Sequence, residues 1–192
     1  MAYNPDIHHR RSIRLRNYDY SSAGAYFVTI CTWNHECLLG DIVDGAIRLN
    51  DFGTLVDGCW QTITAYHNQV VLDAFVIMPN HIHGIITIVG AQFIAPNSNI
   101  AAELEIHQGA KGAKGAKGAI NRAPTVGEMI RGFKARCTHM INKIRENTGC
   151  PVWQRNYYER VLRNDNELTR AREYIINNPL KWNDDDNNPA KM

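Results

Sequence analysis

Two histidines stand one residue apart where a turn leads into an apolar run. His81 and His83 follow Pro79-Asn80 and open a β-branched stretch that predicts a strand. Side chains at positions i and i+2 of a strand point to the same face, so the two imidazoles would lie side by side. Two neighbouring imidazoles can share one divalent cation, because histidine is a common metal ligand. Histidines at this spacing are also ordinary surface or core residues, and other positions must decide between the two interpretations.

The elements around this pair follow from short-range patterns in the first half of the chain. Aromatic and β-branched residues over 26–33 predict a strand. Asp44-Gly45 lies between two short apolar stretches and predicts a hairpin. The expected elements are a strand over residues 26–33, hairpin strands over 38–43 and 46–49, a helix over 51–66 capped by Asn50 or Asp51, and strands over 70–78 and 82–89.

The second half predicts two helices joined by an extended segment. Thr125 and Glu128 have the spacing of a capping box, and residues 149–151 (GCP) are a stop signal. A second helix is expected over residues 165–178, with Asn164 as its cap. The first helix has an apolar stripe of Val126, Met129, Ile130, Phe133, Cys137, Met140, Ile141 and Ile144, and the segment over residues 153–162 is expected to be extended.

Helices and antiparallel strands in this order predict an α+β fold, in which helices pack on a ferredoxin-like antiparallel sheet. A chain of 192 residues suffices for one hydrophobic core, so a single domain over residues 1–192 is expected. It would carry a basic N-terminal arm over residues 1–24 and a flexible insertion over residues 90–123, where Lys-Gly-Ala repeats over residues 111–119.

Composition narrows the functional classes. Hydrophobic residues make up 44% of the chain and charged residues 21%, which is typical of a soluble globular protein. The sequence has neither a run of about 18 apolar residues nor the apolar core of a secretory signal. We therefore expect a cytoplasmic protein with no membrane partner.

Positive charge is concentrated in the second half of the chain. Between Arg122 and Arg163 nine Lys or Arg residues face three Glu residues, although the whole chain carries a net charge of only +2. Guanidinium groups bond phosphate oxygens in pairs, so this cluster favours a nucleic-acid partner. A solvated helix face is the alternative explanation, and for any single arginine it is the better one.

Several ordered motifs together resemble one family. Residues 78–84 (MPNHIHG) resemble the His-hydrophobic-His, or HUH, motif of the single-tyrosine transposases. Three later blocks resemble the REP-associated tyrosine transposase branch of that superfamily: residues 127–134 (GEMIRGFK), 153–159 (WQRNYYE) and 174–179 (YIINNP). The similarity covers nearly the whole chain except the insertion. It implies a fold of the HUH-endonuclease type and a metal-dependent enzyme that cuts single-stranded DNA.

The resemblance implies that Tyr174 is the nucleophile, which becomes linked to the 5′ phosphate and leaves a free 3′ hydroxyl. Helical spacing favours the same residue, because Tyr174 and Asn178 fall together at the border of the predicted buried stripe of this helix. Tyr157 and Tyr158 lie among arginines and remain competitors, with packing or base stacking as their other roles. The buried stripe comprises Leu168, Ala171 and Ile175.

The resemblance also implies a third metal ligand on the tyrosine helix, at Asn178, beside the two histidines. An amide oxygen suits Mg²⁺ or Mn²⁺, and Asn177 is the alternative donor. Arg170 lies one turn before Tyr174, where it would lower the pKa of the phenol or hold the scissile phosphate. An exposed helix arginine without such a role is equally compatible with the pattern.

Together these features predict a transposase-like enzyme that nicks and joins single-stranded or hairpin-forming repeat DNA, as a monomer or a homodimer. A non-catalytic DNA-binding protein of the same fold is one alternative, and a metal-dependent hydrolase of small phosphate esters is another. The candidate DNA contacts are Arg10, Arg11, Arg14 and Arg16 of the arm, with Arg131, Lys134, Arg155 and Arg170.

Overall fold

A four-stranded antiparallel sheet organises the protein in the computed structural model, which describes residues 22–89 and 125–191. The strands lie in the order β4-β5-β1-β6, and every neighbouring pair is antiparallel. A separate hairpin, β2–β3, precedes the first helix. The strands are β1 (Gly24–Cys31), β2 (Gly40–Val43), β3 (Ala46–Leu49), β4 (Val70–Ile77), β5 (His81–Ile88) and β6 (Tyr158–Leu162).

The helices begin at the caps that the sequence predicted. Asn50 accepts a hydrogen bond from the backbone of Gly53, and Thr125 forms a complete capping box with Glu128. Asn164 caps the last helix by accepting a hydrogen bond from the backbone of Glu167. The helices are α1 (Asp51–Gln61), α2 (Ile63–Tyr66), α3 (Val126–Ile144) and α4 (Asp165–Asn177). The α+β fold with a ferredoxin-like antiparallel sheet is therefore confirmed.

One face of the sheet carries the main core. Alternate residues of β1 and β5 point to this face, where α1 and α3 cover them. Trp60 of α1 stacks on Phe75 with ring centroids 4.5 Å apart and lies against Gly84. A Cβ atom at position 84 would lie 2.4 Å from the Trp60 ring, so only glycine allows this approach directly after the histidine pair.

The opposite face of the sheet carries the candidate site. The intervening residues of β1 and β5 point to it, and α4 covers part of it. Ile85, Leu162 and Ile175 form a small second core there, which docks α4 on the sheet. This core leaves the start of β5 facing the last turn of α4.

The structure differs from some of the predicted bounds of helices and buried stripes. The helix expected over residues 51–66 is interrupted at Thr62, which separates α1 from α2. The segment over residues 153–162, expected to be a strand or extended, contains the strand Tyr158–Leu162 and an isolated bridge between Trp153 and Thr32. Met140 and Ile144 are 41% and 55% exposed, so the apolar stripe of α3 is not buried along its whole length.

Two predictions fall on residues that the structure does not describe. The basic arm, apart from its last residues, and the insertion over residues 90–123 lie outside the described residues. Among residues 22–89 and 125–191, no helix combines the length and the apolar character that crossing a membrane requires.

Candidate active site

His81 and His83 open β5 on the sheet face that α4 partly covers. Both side chains are buried, with 0% and 2% of their surface exposed. Their Nε2 atoms lie 3.0 Å apart. The two rings thus converge on one point, as their spacing along the strand predicted.

Hydrogen bonds to the other ring nitrogens orient both imidazoles. The Oδ1 atom of Asn80 lies 2.9 Å from Nδ1 of His81, while the amide nitrogen of Asn80 donates to two backbone carbonyls. The Asn80 oxygen is therefore the acceptor, and His81 carries its proton on Nδ1 with the Nε2 lone pair directed at His83. The Thr29 hydroxyl lies 2.8 Å from Nδ1 of His83. Sequence reasoning missed Thr29, because only the pairing register of β1 with β5 places it opposite His83.

Burial holds both imidazoles in the neutral form at neutral pH. It lowers the pKa of His81 to about 4, although the nearby carboxylate of Asp185 opposes this shift. Burial also lowers the pKa of His83 well below its ordinary value, and His81 adds to the effect. Neutral imidazole is the form that binds a metal ion, so neither ring must lose a proton to the solvent before it becomes a ligand.

Asn178 lies at the junction of the histidine pair and the tyrosine helix. It keeps a helical backbone (φ −60°, ψ −44°) although Pro179 follows it. Its side chain interacts with both His81 and Tyr174. It is 3% exposed, and its Oδ1 atom is buried without a well-formed hydrogen bond. An oxygen in this state is costly unless a ligand binds it, whereas Asn177 is exposed.

Asp185 joins the site from the C-terminal segment. After α4 the chain forms a 3-10 helix over Pro179–Asp184 and returns to the histidine pair, where Trp182 lies 6.1 Å from His81 between ring centroids. The Oδ2 atom of Asp185 lies 3.7 Å from Nε2 of His81. Spacing alone holds no signal for this residue, because it belongs to an acidic run near the end of the chain and only the folded tail selects it.

The donor atoms suit a divalent cation. Single atoms of His81, His83 and Asp185 all lie within 4.8 Å of one another. The two histidine nitrogens lie 3.0 Å apart, so both could bind the same cation. Two neutral nitrogens and an amide oxygen bring no charge, so the carboxylate of Asp185 would supply the negative charge that a divalent ion favours.

Tyr174 reaches the histidine pair from the last full turn of α4. Its hydroxyl oxygen lies 3.4 Å from Nε2 of His83, and its ring stands edge-on to the His83 ring. Burial raises the pKa of the phenol, and the negative charge of Asp185 raises it further. This direction is opposite to the one we expected from Arg170. Without a cation beside it, the Tyr174 phenol therefore stays protonated at neutral pH.

A cleft of about 690 Å³ opens beside Tyr174 and His83. Phe27 and Thr29 form part of its floor, and α4 and β6 contribute its walls. Tyr158 stands in this wall with 49% of its surface exposed, and the Tyr157 hydroxyl donates to Glu159 at 2.5 Å. Of the three candidate tyrosines, Tyr174 is the one whose hydroxyl contacts a histidine of the pair.

Comparison with known proteins places this geometry in context. No family model matches the sequence. An uncharacterized protein of Haemophilus influenzae (strain Rd) is 44% identical over 183 residues, which cover 95% of each chain. The chain belongs to the family of this protein.

A solved structure adds the fold. The structure of a REP-associated tyrosine transposase bound to a REP hairpin superposes with a TM-score of 0.53 and covers 88% of this chain and 73% of its own. The two sequences are 18% identical, so the likeness shows a shared fold. This chain therefore shares its α+β fold with a REP-associated tyrosine transposase.

The residues predicted to contact DNA do not lie together on one surface of this protein. Arg170 lines the cleft, whereas Arg131 and Arg155 are exposed elsewhere. The ammonium of Lys134 donates to the backbone carbonyls of Gln154 and Asn156 at 2.5 and 3.1 Å, and burial lowers its pKa to about 8. A phosphate would have to compete with these carbonyls for Lys134. The four arginines of the arm, Arg10, Arg11, Arg14 and Arg16, lie outside the described residues.

A bidentate ion pair helps to dock the tyrosine helix. The pairing of β4 with β5 shifts register between Leu72 and Phe75, and Asp73 lies in this irregularity. The Asp73 carboxylate accepts three hydrogen bonds of 2.6 to 3.2 Å from the Arg172 guanidinium of α4. The Arg172 bond lowers the pKa of Asp73. We expect Asp73→Asn to lower the free energy of unfolding by about 0.5–1 kcal/mol at neutral pH, because the pair is partly exposed and screened.

The pH dependence of this pair has a definite sign. Because the folded pKa of Asp73 is depressed, its stabilisation is full above the ordinary carboxyl pKa and disappears as the pH falls through the depressed value. Urea unfolding of the wild type and of Asp73→Asn should therefore converge at acid pH. In an Arg172→Gln background the substitution should cost less. An equal cost in both backgrounds would show that Asp73 acts independently of Arg172.

Proposed function

We propose that this protein is a metal-dependent single-stranded DNA endonuclease and strand transferase that acts through a covalent 5′-phosphotyrosine at Tyr174. The observation that carries the proposal is the 3.4 Å approach of the Tyr174 hydroxyl to His83, within a buried pair of histidine nitrogens 3.0 Å apart. A nucleophile beside a cation site at the edge of an open cleft is the arrangement that phosphoryl transfer requires.

His81, His83 and Asn178 would hold the cation, with Asp185 as a further oxygen donor. The buried Oδ1 of Asn178, which has no well-formed hydrogen bond among the described residues, supports this set. When bound, Mg²⁺ or Mn²⁺ would polarise the scissile phosphate and favour the ionised phenol electrostatically. Thr29 and Asn80 orient the two rings and would keep the site organised.

The side chains of this site account for the transfer as follows. The Tyr174 oxygen attacks the phosphorus, the bond from phosphorus to the 3′ oxygen breaks, and the 5′ phosphate stays on the tyrosine. The phenol loses one proton and the leaving 3′ oxygen gains one, so the reaction is balanced. Both ends of the step are phosphodiesters of similar energy. A 3′ hydroxyl from another strand can therefore reverse the attack and join two strands without ATP.

Substrate and assembly belong to the same proposal. Hairpin-forming repeat DNA is the proposed substrate, by analogy with the REP hairpin in the structural neighbour. Arg131, Arg155, Arg170 and Lys134 are proposed phosphate contacts, together with the arm, and the cytoplasm is the proposed location. Because His83 and Tyr174 meet within one chain, a homodimer is a proposal that the site itself does not require.

The test is formation of a covalent adduct. The protein is incubated with Mn²⁺ and a hairpin oligonucleotide whose stem is flanked by randomised single-stranded segments, and the mixture is run on a denaturing gel. With the label at the 3′ end of the DNA, we expect label to migrate with the protein. With the label at the 5′ end, we expect a shortened free strand. EDTA should abolish both products.

The same experiment separates the alternatives. DNA that binds the protein in a native gel but forms no adduct with Mn²⁺ or Mg²⁺ would contradict the enzyme proposal and favour a non-catalytic DNA-binding protein. Failure of single-stranded DNA to bind would leave the hydrolase of small phosphate esters as the better explanation. An adduct that carries the 5′ label instead would overturn the proposed polarity of the linkage.

A further inference from the structure

We propose that Tyr158 is a stacking platform for one unpaired base of the DNA strand that enters the cleft beside Tyr174. This inference rests on the proposed function for the identity of the strand. It assigns a role to a residue whose choice between packing, base stacking and nucleophile the sequence left open. It also makes Tyr158 a determinant of substrate form, because a stacking platform recognises bases that are not already stacked in a duplex.

The position of Tyr158 on the edge strand turns its ring into the cleft. Tyr158 pairs with Thr29 across β1 and β6, so both side chains point to the sheet face that carries the histidine pair. Its ring stands edge-on to Phe27, with centroids 6.5 Å apart, and 49% of its surface is exposed. Phe27 in turn contacts Tyr174 and His83 at 5.9 and 5.4 Å between centroids. A row of aromatic rings therefore leads from the rim of the cleft to the proposed nucleophile.

The neighbouring tyrosine has a different role. The Tyr157 hydroxyl donates to the carboxylate of Glu159, whose residue is 6% exposed, and the Tyr157 ring packs against the main core. Tyr158 differs because its ring has an edge-on contact with Phe27 while 49% of the residue is exposed. A rigid aromatic ring that is held by a neighbour and still exposed to the cleft is suited to base stacking.

The charges around the platform favour a phosphodiester strand. Among the described residues that line the cleft, three carry a charge, namely Arg160, Arg170 and Glu167. Arg160 projects from β6 two residues after Tyr158, and its guanidinium lies 3.5 Å from Glu167 while remaining 58% exposed. Arg170 stands one turn before Tyr174 on α4. Two guanidinium groups against one carboxylate leave a positive balance beside the platform, which suits the phosphates on either side of a stacked base.

The test measures binding without chemistry. Fluorescence anisotropy in EDTA compares the Kd for a short oligothymidine with that for an oligonucleotide of equal length in which every base is absent. We expect the wild type to prefer the strand with bases. Tyr158→Leu should weaken oligothymidine binding by roughly 5–150-fold, the range expected for one stacked base. Tyr158→Phe should change it by less than about twofold, because stacking needs the ring rather than the hydroxyl.

Matched controls keep the inference falsifiable. Tyr66→Leu removes a tyrosine that is 65% exposed on α2, away from the cleft, and should leave binding unchanged. The abasic strand should bind Tyr158→Leu and the wild type equally, which also excludes misfolding as the cause of a loss. If Tyr158→Leu keeps the wild-type preference for bases, or weakens both strands equally, the inference is overturned. If Tyr158→Leu forms the adduct and binds oligothymidine with an unchanged Kd, the stacking role is overturned and the proposed function stands. If binding depends on the bases and on Tyr158 but the wild type forms no adduct, the proposed function is overturned and the stacking role stands.

Discussion

Tyr174→Phe is expected to abolish the covalent protein–DNA adduct, with strand cleavage lower by ~10³-fold or more, as for other enzymes that lose their nucleophile. The substitution removes only the hydroxyl that lies 3.4 Å from His83. The ring contacts with Phe27 and His83 remain, because they do not involve the hydroxyl. Tyr174 is 47% exposed, and the substitution keeps its ring in place on α4. The fold and the affinity for single-stranded DNA should therefore persist.

The matched controls are the other two tyrosines of the cleft. Tyr157→Phe and Tyr158→Phe should each retain the adduct, since neither hydroxyl contacts the histidine pair in the described structure. The measurement is the fraction of 3′-labelled DNA that migrates with protein in the presence of Mn²⁺. An adduct that persists in Tyr174→Phe and disappears in Tyr158→Phe would transfer the role to Tyr158 and contradict its assignment as a stacking platform. Loss of DNA binding in Tyr174→Phe would point to a damaged fold instead.

The sequence predicted the elements that local patterns specify. The caps at Asn50, Thr125 and Asn164 were confirmed because they depend on hydrogen bonds within four residues. The shared face of His81 and His83 was confirmed because strand geometry alone determines it. The interruption at Thr62 was missed, since the apolar spacing of Cys59, Ile63 and Tyr66 continues across it.

The parts of the site that were missed depend on tertiary contacts. Thr29 reaches His83 through the register of two strands that are more than fifty residues apart in sequence. Asp185 reaches His81 only because the tail returns after α4. Lys134 illustrates the same limit, because the sequence showed its charge but not the two backbone carbonyls that its ammonium bonds. Spacing in the sequence shows which residues share a face of one strand or helix. Which residues of two different elements contact each other is known only from the folded structure.

The histidine pair yields the second large effect. His83→Ala is expected to eliminate adduct formation at any Mn²⁺ concentration, because it removes one of two nitrogens that converge within 3.0 Å. Thr29→Val removes only the hydroxyl that orients His83 and keeps the shape of the side chain. Residues that hydrogen-bond a metal-binding histidine without touching the metal contribute roughly 10–100-fold to metal affinity. We therefore expect Thr29→Val to need 10–100-fold more Mn²⁺ for half-maximal adduct formation and to reach the wild-type level at saturation.

The contrast between the two variants distinguishes a metal site from a structural pair of histidines. Calorimetric titration with Mn²⁺ should show binding by the wild type, weaker binding by Thr29→Val and none by His83→Ala. Circular dichroism spectra like that of the wild type should show that both variants are folded. If the histidines act only in packing, Thr29→Val and His83→Ala would both lower thermal stability without changing the Mn²⁺ dependence of the adduct. Rescue of His83→Ala by excess Mn²⁺ would assign the principal ligands to Asp185 and Asn178, since these are the oxygen donors that remain beside His81.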